Sequence, residues 1–387
     1  MSEKEKVQQM YEEKKRRVVT TCNLREPDRV PILSQVNAFA IGYCGHTASE
    51  IFDNPLIERE CYSKALTDFY CDTVMGFGMN YPYKSFIEVG SDTYFVSDNG
   101  YTIQHRESSN MNSEEYEELL QNPIAYIANK IAHRKISGLR EAYPKNYKNI
   151  EKLFDAMDQH KRKSAANKKF VKEELGLPLM AKGSAAHPLD NFFDFIRGFK
   201  GTLADMRRRP EEVLKAIDVL TPFFESTIPD KANEEFPYIR NTAHIPTFLS
   251  PEMFKKFYWP YLKSAILKAH QAGTKYIIFC EGTWEQHFPL FEELPQGSVI
   301  AVLESDDVIK IKKRYGSLMT IAGGYTQGLL RYGTKQDCID CAKRVIDACA
   351  PGGGFIFTGD KTFLTVEDIN IDNYKAITEF AHEYGKY

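Results

Sequence analysis

The stretch KYIIFCEGTWEQHFPLFEELPQG begins at Lys275 and ends an apolar run in a thiol, a carboxylate and a glycine. Cys280 and Glu281 can both hold a metal, and Glu281 can also move a proton. Trp284 and His287 follow at once. More groups of this kind trail other apolar runs: His187, His244, Glu304, Asp306, Asp307 and Asp360, with Lys361 beside the last. Aromatics gather elsewhere, at Phe77, Tyr81 and Tyr83. An aromatic wall beside a few converging polar groups suits a small organic substrate. Successive residues of a strand point to opposite sides, so either Cys280 or Glu281 faces the wall. The TWEQHFPLFEEL segment reads as a helix with His287 on its outer face.

The elements that must position these groups are short β-rich runs separated by helical stretches. The runs are VPIL (30–33), DTVMGFG (72–78), LPLMAKGSA (177–185), YIRNTAHIP (238–246), YIIFCEG (276–282), VIAVLES (298–304), LMTIAGG (318–324) and GFIFTGD (354–360). Strand alternating with helix implies parallel strands, and eight such units imply a (β/α)8 TIM barrel. Its site lies at the C-terminal ends of the strands. That rule adds Gln35, Asn37, Met79, Asn80, Ser184, Tyr325 and Gln327 to the mouth. Asp98-Asn99-Gly100 between β-formers in 91–109 predicts a hairpin inserted after the second strand. About 65 charged, helical residues follow it. The expected organisation is a helical N-terminal extension, 1–27, and one barrel, 28–387.

The chain has 387 residues, 43% of them hydrophobic, and a formal net charge of −3. That charge gives no argument for nucleic acid. No apolar run approaches the ~18 residues of a membrane helix. The charged start, MSEKEKVQQMYEEKKRRVVT, lacks the apolar core of a signal peptide, so a cytoplasmic protein is expected. Eight cysteines are then expected to stay reduced. Cys338, Cys341 and Cys349 fall near one face of an amphipathic helix and read as core. Gly352-Gly353-Gly354 precedes a strand and reads as a helix stop, not a phosphate loop. FYWPY (257–261) is either core or an interface between copies of an oligomer.

Together these segments resemble the uroporphyrinogen decarboxylase superfamily, and within it the corrinoid-dependent methyltransferase branch. The resemblance runs in barrel order through REPDRVPIL, YCGHTASEIFDNP, FIRGFKGTLADMRRRPEEVLKAIDVLTP, SPEMFKKFYWPYLKSAI, EGTWEQHFPLFEELPQG, GGYTQGLLRYGTKQDCID and PGGGFIFTGDKTF. It implies a barrel that takes a methyl group from a small O-methyl compound, methoxy-aromatic by its aromatic mouth. The acceptor would be the cobalt(I) of a corrinoid (cobalamin) carried by a partner protein. The decarboxylases themselves carry an Arg-rich N-terminal segment and an Asp after the second strand. Here no arginine lies between Arg29 and Arg59, and Gly78-Met79 stands where the Asp would be. The His-x-Cys-Gly zinc pattern of the thiol and methanol methyltransferases is replaced by Phe279-Cys280-Glu281-Gly282.

A phenolate or alkoxide leaves poorly unless its oxygen is protonated or held by a Lewis acid. A zinc ion on Glu281, His244 and Glu304, with Cys280 adjoining, would do the second. Asp307, Tyr81 or His187 would do the first. Asn37, Phe77, Tyr81, Tyr83 and Trp284 would grip the substrate. Two other readings stay open: a metal-free decarboxylase-like lyase acting on a smaller substrate, and a non-catalytic barrel serving as a binding subunit.

Overall fold

The computed structural model describes residues 1–387. Its strands are β1 (Leu33–Ser34), β2 (Thr73–Val74), β3 (Tyr94–Val96), β4 (Ile103–His105), β5 (Ala181–Ser184), β6 (Tyr238–Ala243), β7 (Tyr276–Cys280), β8 (Val299–Leu303), β9 (Thr320–Tyr325) and β10 (Phe355–Gly359). β5 to β10 form a parallel sheet in chain order, and β1 pairs with β2, also in parallel. Two parallel bridges, Ile32 to Phe357 and Val74 to Leu179, join these pieces into a ring. The Phe357 amide donates to Pro31 at 2.9 Å and the Met180 amide to Val74 at 2.8 Å. The eight expected barrel strands are all present, as a TIM barrel.

Strands β7 to β10 are covered on both faces, which is why they read as apolar runs rather than alternating ones. Outward side chains such as Ile278, Ala301 and Ile321 join the large core under the helices. Inward ones, including Ile277, Ile300, Ala322 and Ile356, fill the barrel. The helix Glu3–Cys22, opened by a Ser2–Glu5 capping box, sends Val18 and Cys22 into that inner cluster and closes the floor. Arg17 fixes it there. Its Nε donates to Asp28 at 2.8 Å, and it pairs with the fully buried Asp72. Asp72 also accepts the Ile32 amide at 2.8 Å and the Tyr70 hydroxyl at 2.9 Å, so one carboxylate ties helix, β1 and β2 together.

β3 and β4 form the expected antiparallel hairpin. Asn99 shapes its turn by accepting the amides of Tyr101 and Thr102 at 3.1 and 3.0 Å, and Gly100 supplies the positive φ of +80°. The long helix Lys145–Glu173 then returns across the mouth. Phe257, Tyr258 and Trp259 are buried core, while Pro260 is exposed and Tyr261 half-buried. Cys338 and Cys349 are buried too, as the helical face requires.

Replacing Asp72 by Ala leaves the Arg17 guanidinium with Asp28 alone and strands the Ile32 amide. Urea unfolding is expected to show a loss of about 3–5 kcal/mol; a loss below about 1 kcal/mol would show that the floor does not depend on this carboxylate.

Candidate active site

Alternation along β6 turns Tyr238, Arg240 and Thr242 inward and Ile239 and Ala243 outward into the helix layer. On β7, Ile277 and Phe279 point in, while Tyr276, Ile278 and Cys280 point out. Ala243 lies opposite Cys280 in the parallel register. The next residues, His244 and Glu281, therefore emerge level at the rim, with Nε2 and Oε1 3.4 Å apart.

His244 is held from three directions. Its Nδ1 meets Asp194 at 2.7 Å. Asp194 comes from a π-helical segment, Phe192–Ile196, a geometry frequent at functional sites. The buried Asp190 accepts the backbone amides of His244 and Ile245 at 3.0 and 2.9 Å, and its other oxygen takes the Tyr258 hydroxyl at 2.6 Å. Burial alone would discharge the imidazole. The carboxylates of Asp194 and Glu281 outweigh it and push the His244 pKa up to about 11. The ring is thus an imidazolium at neutral pH.

The turn after Glu281 is fastened from the next strand. Gly282, at φ +70°, donates its amide to Glu304 at 2.6 Å, and a Cβ there would lie 2.0 Å from the Thr247 hydroxyl. Asp306 accepts the amides of Trp284 and Glu285 at 2.8 and 3.0 Å. The other oxygen of Glu304 pairs with Lys361 at 2.8 Å.

A cavity of about 410 Å³ opens between the ends of β1, β2 and β5, Arg240 in the middle of β6 and the middle of the helix Lys145–Glu173; Phe279, two residues before Glu281, lines it, whereas His244 and Glu281 stand outside its lining. Tyr62, Phe77 and Phe279 give it an aromatic wall, and Asn37, Lys182 and Arg240 are among its polar groups. Tyr62 and Phe77 meet at 5.4 Å between ring centres, and Tyr62 donates to Asn37 at 3.2 Å. Where the decarboxylases carry an Asp, Gly78 adopts φ +78° against the buried Glu58, which accepts the Met79 amide at 2.6 Å and pairs with Lys163.

The structure brings His244 and Glu281 together, and places Asn37 and Phe77 in the cavity. The structure places the other expected residues elsewhere. Cys280 points away, buried among outward side chains with its Sγ 3.8 Å from the Ile278 carbonyl, and burial pushes its thiol well up. Glu304 is spent on Gly282 and Lys361. No three His, Cys, Asp or Glu side chains converge in metal-holding geometry, so the donor set expected for zinc does not fit. His187 is buried and stacked on Tyr258 at 3.7 Å; one nitrogen takes the Leu189 amide and the other meets the Tyr258 carbonyl. Burial drives its pKa down to about 3, so the ring is neutral and its one N–H is donated to the Tyr258 carbonyl. Asp307 is an exposed helix cap, accepting the amides of Ile309 and Lys310 at 2.9 and 3.1 Å. Trp284 is fully buried, edge-on to Phe254, with its indole donating to the Glu281 carbonyl at 3.1 Å. Tyr81 and Tyr83 pack with Phe86 and Tyr94 under the hairpin. His287 is buried against Phe254, not on an outer face, and a short 3-10 helix follows it. Asp194, Arg240, Lys182, Phe279 and Glu58 were not anticipated as site residues.

An eight-stranded parallel barrel with its polar groups at the C-terminal rim defines a TIM-barrel protein whose site faces one open mouth. The uroporphyrinogen decarboxylase (URO-D) family profile matches residues 139–384. That is more than half of the chain, which belongs to this family. Among solved structures, a methyltransferase from Methanosarcina mazei superposes with a TM-score of 0.62 over 95% of this chain and 98% of its own, at 12% identity. No curated protein matches by sequence. No helix is long and apolar enough to cross a membrane.

His244 is expected to keep the NMR signature of an imidazolium beyond pH 9. Asp194→Asn removes one of its two carboxylates, so its titration should move down by about 1–3 pH units. An unchanged titration would show that Asp194 does not hold the proton on His244.

Proposed function

We propose that this chain is a corrinoid-dependent methyltransferase that demethylates a small O-methyl compound, methoxy-aromatic in class. The observation that carries the reading is the His244–Glu281 pair at the barrel rim, one inward layer above Phe279 of an aromatic-walled cavity. A volume of about 410 Å³ lies in the range of small-molecule pockets and takes one substituted ring. Tyr62, Phe77 and Phe279 offer faces and edges to that ring.

The leaving oxygen is the difficult part of the reaction. His244 carries a proton at neutral pH and presents Nε2 toward Glu281 at the rim. It hands that proton to the ether oxygen as the methyl–oxygen bond breaks, so the product leaves as an alcohol or phenol. Asp194 holds Nδ1 and keeps the ring oriented throughout. Glu281 steers the Nε2–H toward the incoming oxygen and supports the charged ring. Helix 145–173 covers one side of the cavity and limits water there. The nucleophile, cobalt(I) of a corrinoid, is supplied by a separate protein that meets the barrel at its mouth.

The test is to mix the protein with cob(I)alamin and a panel of methoxyarenes and to follow methylcobalamin formation by its visible spectrum. His244→Gln is expected to slow the reaction by about 10²–10⁴-fold. Carbon dioxide release from a carboxylated substrate, with no methylcobalamin from any donor, would replace this reading with the metal-free lyase.

A further inference from the structure

Arg240 differs from most arginines tied into this fold; Arg59 also lacks a carboxylate, but it donates to Asn167 at 3.2 Å and lies over the Phe170 ring. Arg17, Arg134 and Arg197 each meet a carboxylate, on Asp28 and Asp72, Glu115, and Asp205 respectively. Arg240 sits on β6 between Ser184 and Ile277, turned into the cavity, and pairs with no carboxylate; the Tyr83 hydroxyl is the titratable group that acts on its charge. A half-buried guanidinium without a counter-ion is costly. Lys182, on the neighbouring strand β5, also lines the cavity. Burial lowers the pKa of both cations, offset in part by the Glu234 carboxylate at Lys182 and only by the Tyr83 hydroxyl at Arg240.

The geometry points to a carboxylate on the substrate, held by Arg240 with Lys182 beside it, so that the methyl donor is a methoxylated aryl carboxylate. A guanidinium presents a planar fork that matches a carboxylate's two oxygens. The positions follow from the strand register. Phe279 lies opposite Thr242, one layer above Arg240 and one below the His244–Glu281 pair. Arg240 and His244 are four residues apart on β6, about 13 Å at strand rise. The arginine side chain and one aromatic ring together span that interval. A ring resting on Phe279 then has its carboxylate at Arg240 and its methoxy group directed out of the cavity toward His244, which stands above the lining. The helix lining the cavity presents its middle, His160 to Lys168, rather than its N-terminus, so it offers no free backbone amides to a phosphate.

The identity of the reacting methoxy group rests on the methyl-transfer reading; the carboxylate site does not, because it is tested by binding alone. Titration calorimetry at constant ionic strength would compare 3-methoxybenzoate, benzoate, anisole and inorganic phosphate. The carboxylates are expected to bind the unmodified protein at least tenfold more tightly than anisole. Arg240→Gln should weaken them by roughly 10- to 100-fold, leaving anisole unchanged. Arg240→Lys, which keeps the charge and loses the fork, should fall between. Equal affinity of benzoate and anisole for the unmodified protein would overturn the proposal without any variant. So would carboxylate binding unaffected by Arg240→Gln, or phosphate binding more tightly than benzoate. Failure of methyl transfer with carboxylate binding intact would overturn the reaction and leave this site standing.

Discussion

The register between β6 and β7 is the constraint on which the mouth depends. Ala243 pairs with Cys280, Thr242 with Phe279 and Arg240 with Ile277. Sliding either strand by one residue would exchange inward and outward side chains along its length. His244 would turn into the helix layer, or Cys280 would replace Glu281 at the rim. Burial of Ile239, Ala243, Ile278 and Cys280 outside, and of Tyr238 and Ile277 inside, opposes that slip. The acid pair is therefore positioned by apolar contacts several residues below it.

Ring closure supplies the second condition. β1 and β2 are short, and the chain meets the main sheet there through single bridges. The Arg17–Asp72 pair and the plug of Val18 and Cys22 add contacts where the ladder is thinnest. The cavity opens at the other end of this same sector, where short strands leave space that the long helix only partly covers.

Polar groups around the rim divide into those that fix backbone and those left free to act. Glu304 and Asp306 hold the turn after β7, Asp190 holds the start of the turn after β6, and Asp307 caps a helix. A carboxylate that satisfies buried amides is committed to structure. What remains is a charged imidazolium between two carboxylates and, deeper, a guanidinium with none. Proton donation and anion recognition are the chemistry that this remainder supports.

The sequence by itself determined the ring of strands, the hairpin, the helical insertion and the rim positions of His244 and Glu281. Those follow from local patterns: apolar runs of strand length, an Asn-Gly turn and the rule that barrel sites lie at strand ends. Arg240 was legible too, as a charge at an inward position of YIRNTA, though proximity to the strand end drew attention instead to His244. Other features depended on tertiary structure. Asp194 lies fifty residues before the histidine it holds, in a segment with no motif of its own. Cys280 and Glu281 are adjacent in sequence, and only the packing on each side of β7 decided which reaches the rim beside His244. Trp284, His187 and Asp307 carry reactive or aromatic groups near strand ends, yet burial or capping removes them from the mouth. Sequence spacing locates a side chain along its strand; what that side chain is free to do depends on the hydrogen bonds and burial that distant segments impose on it.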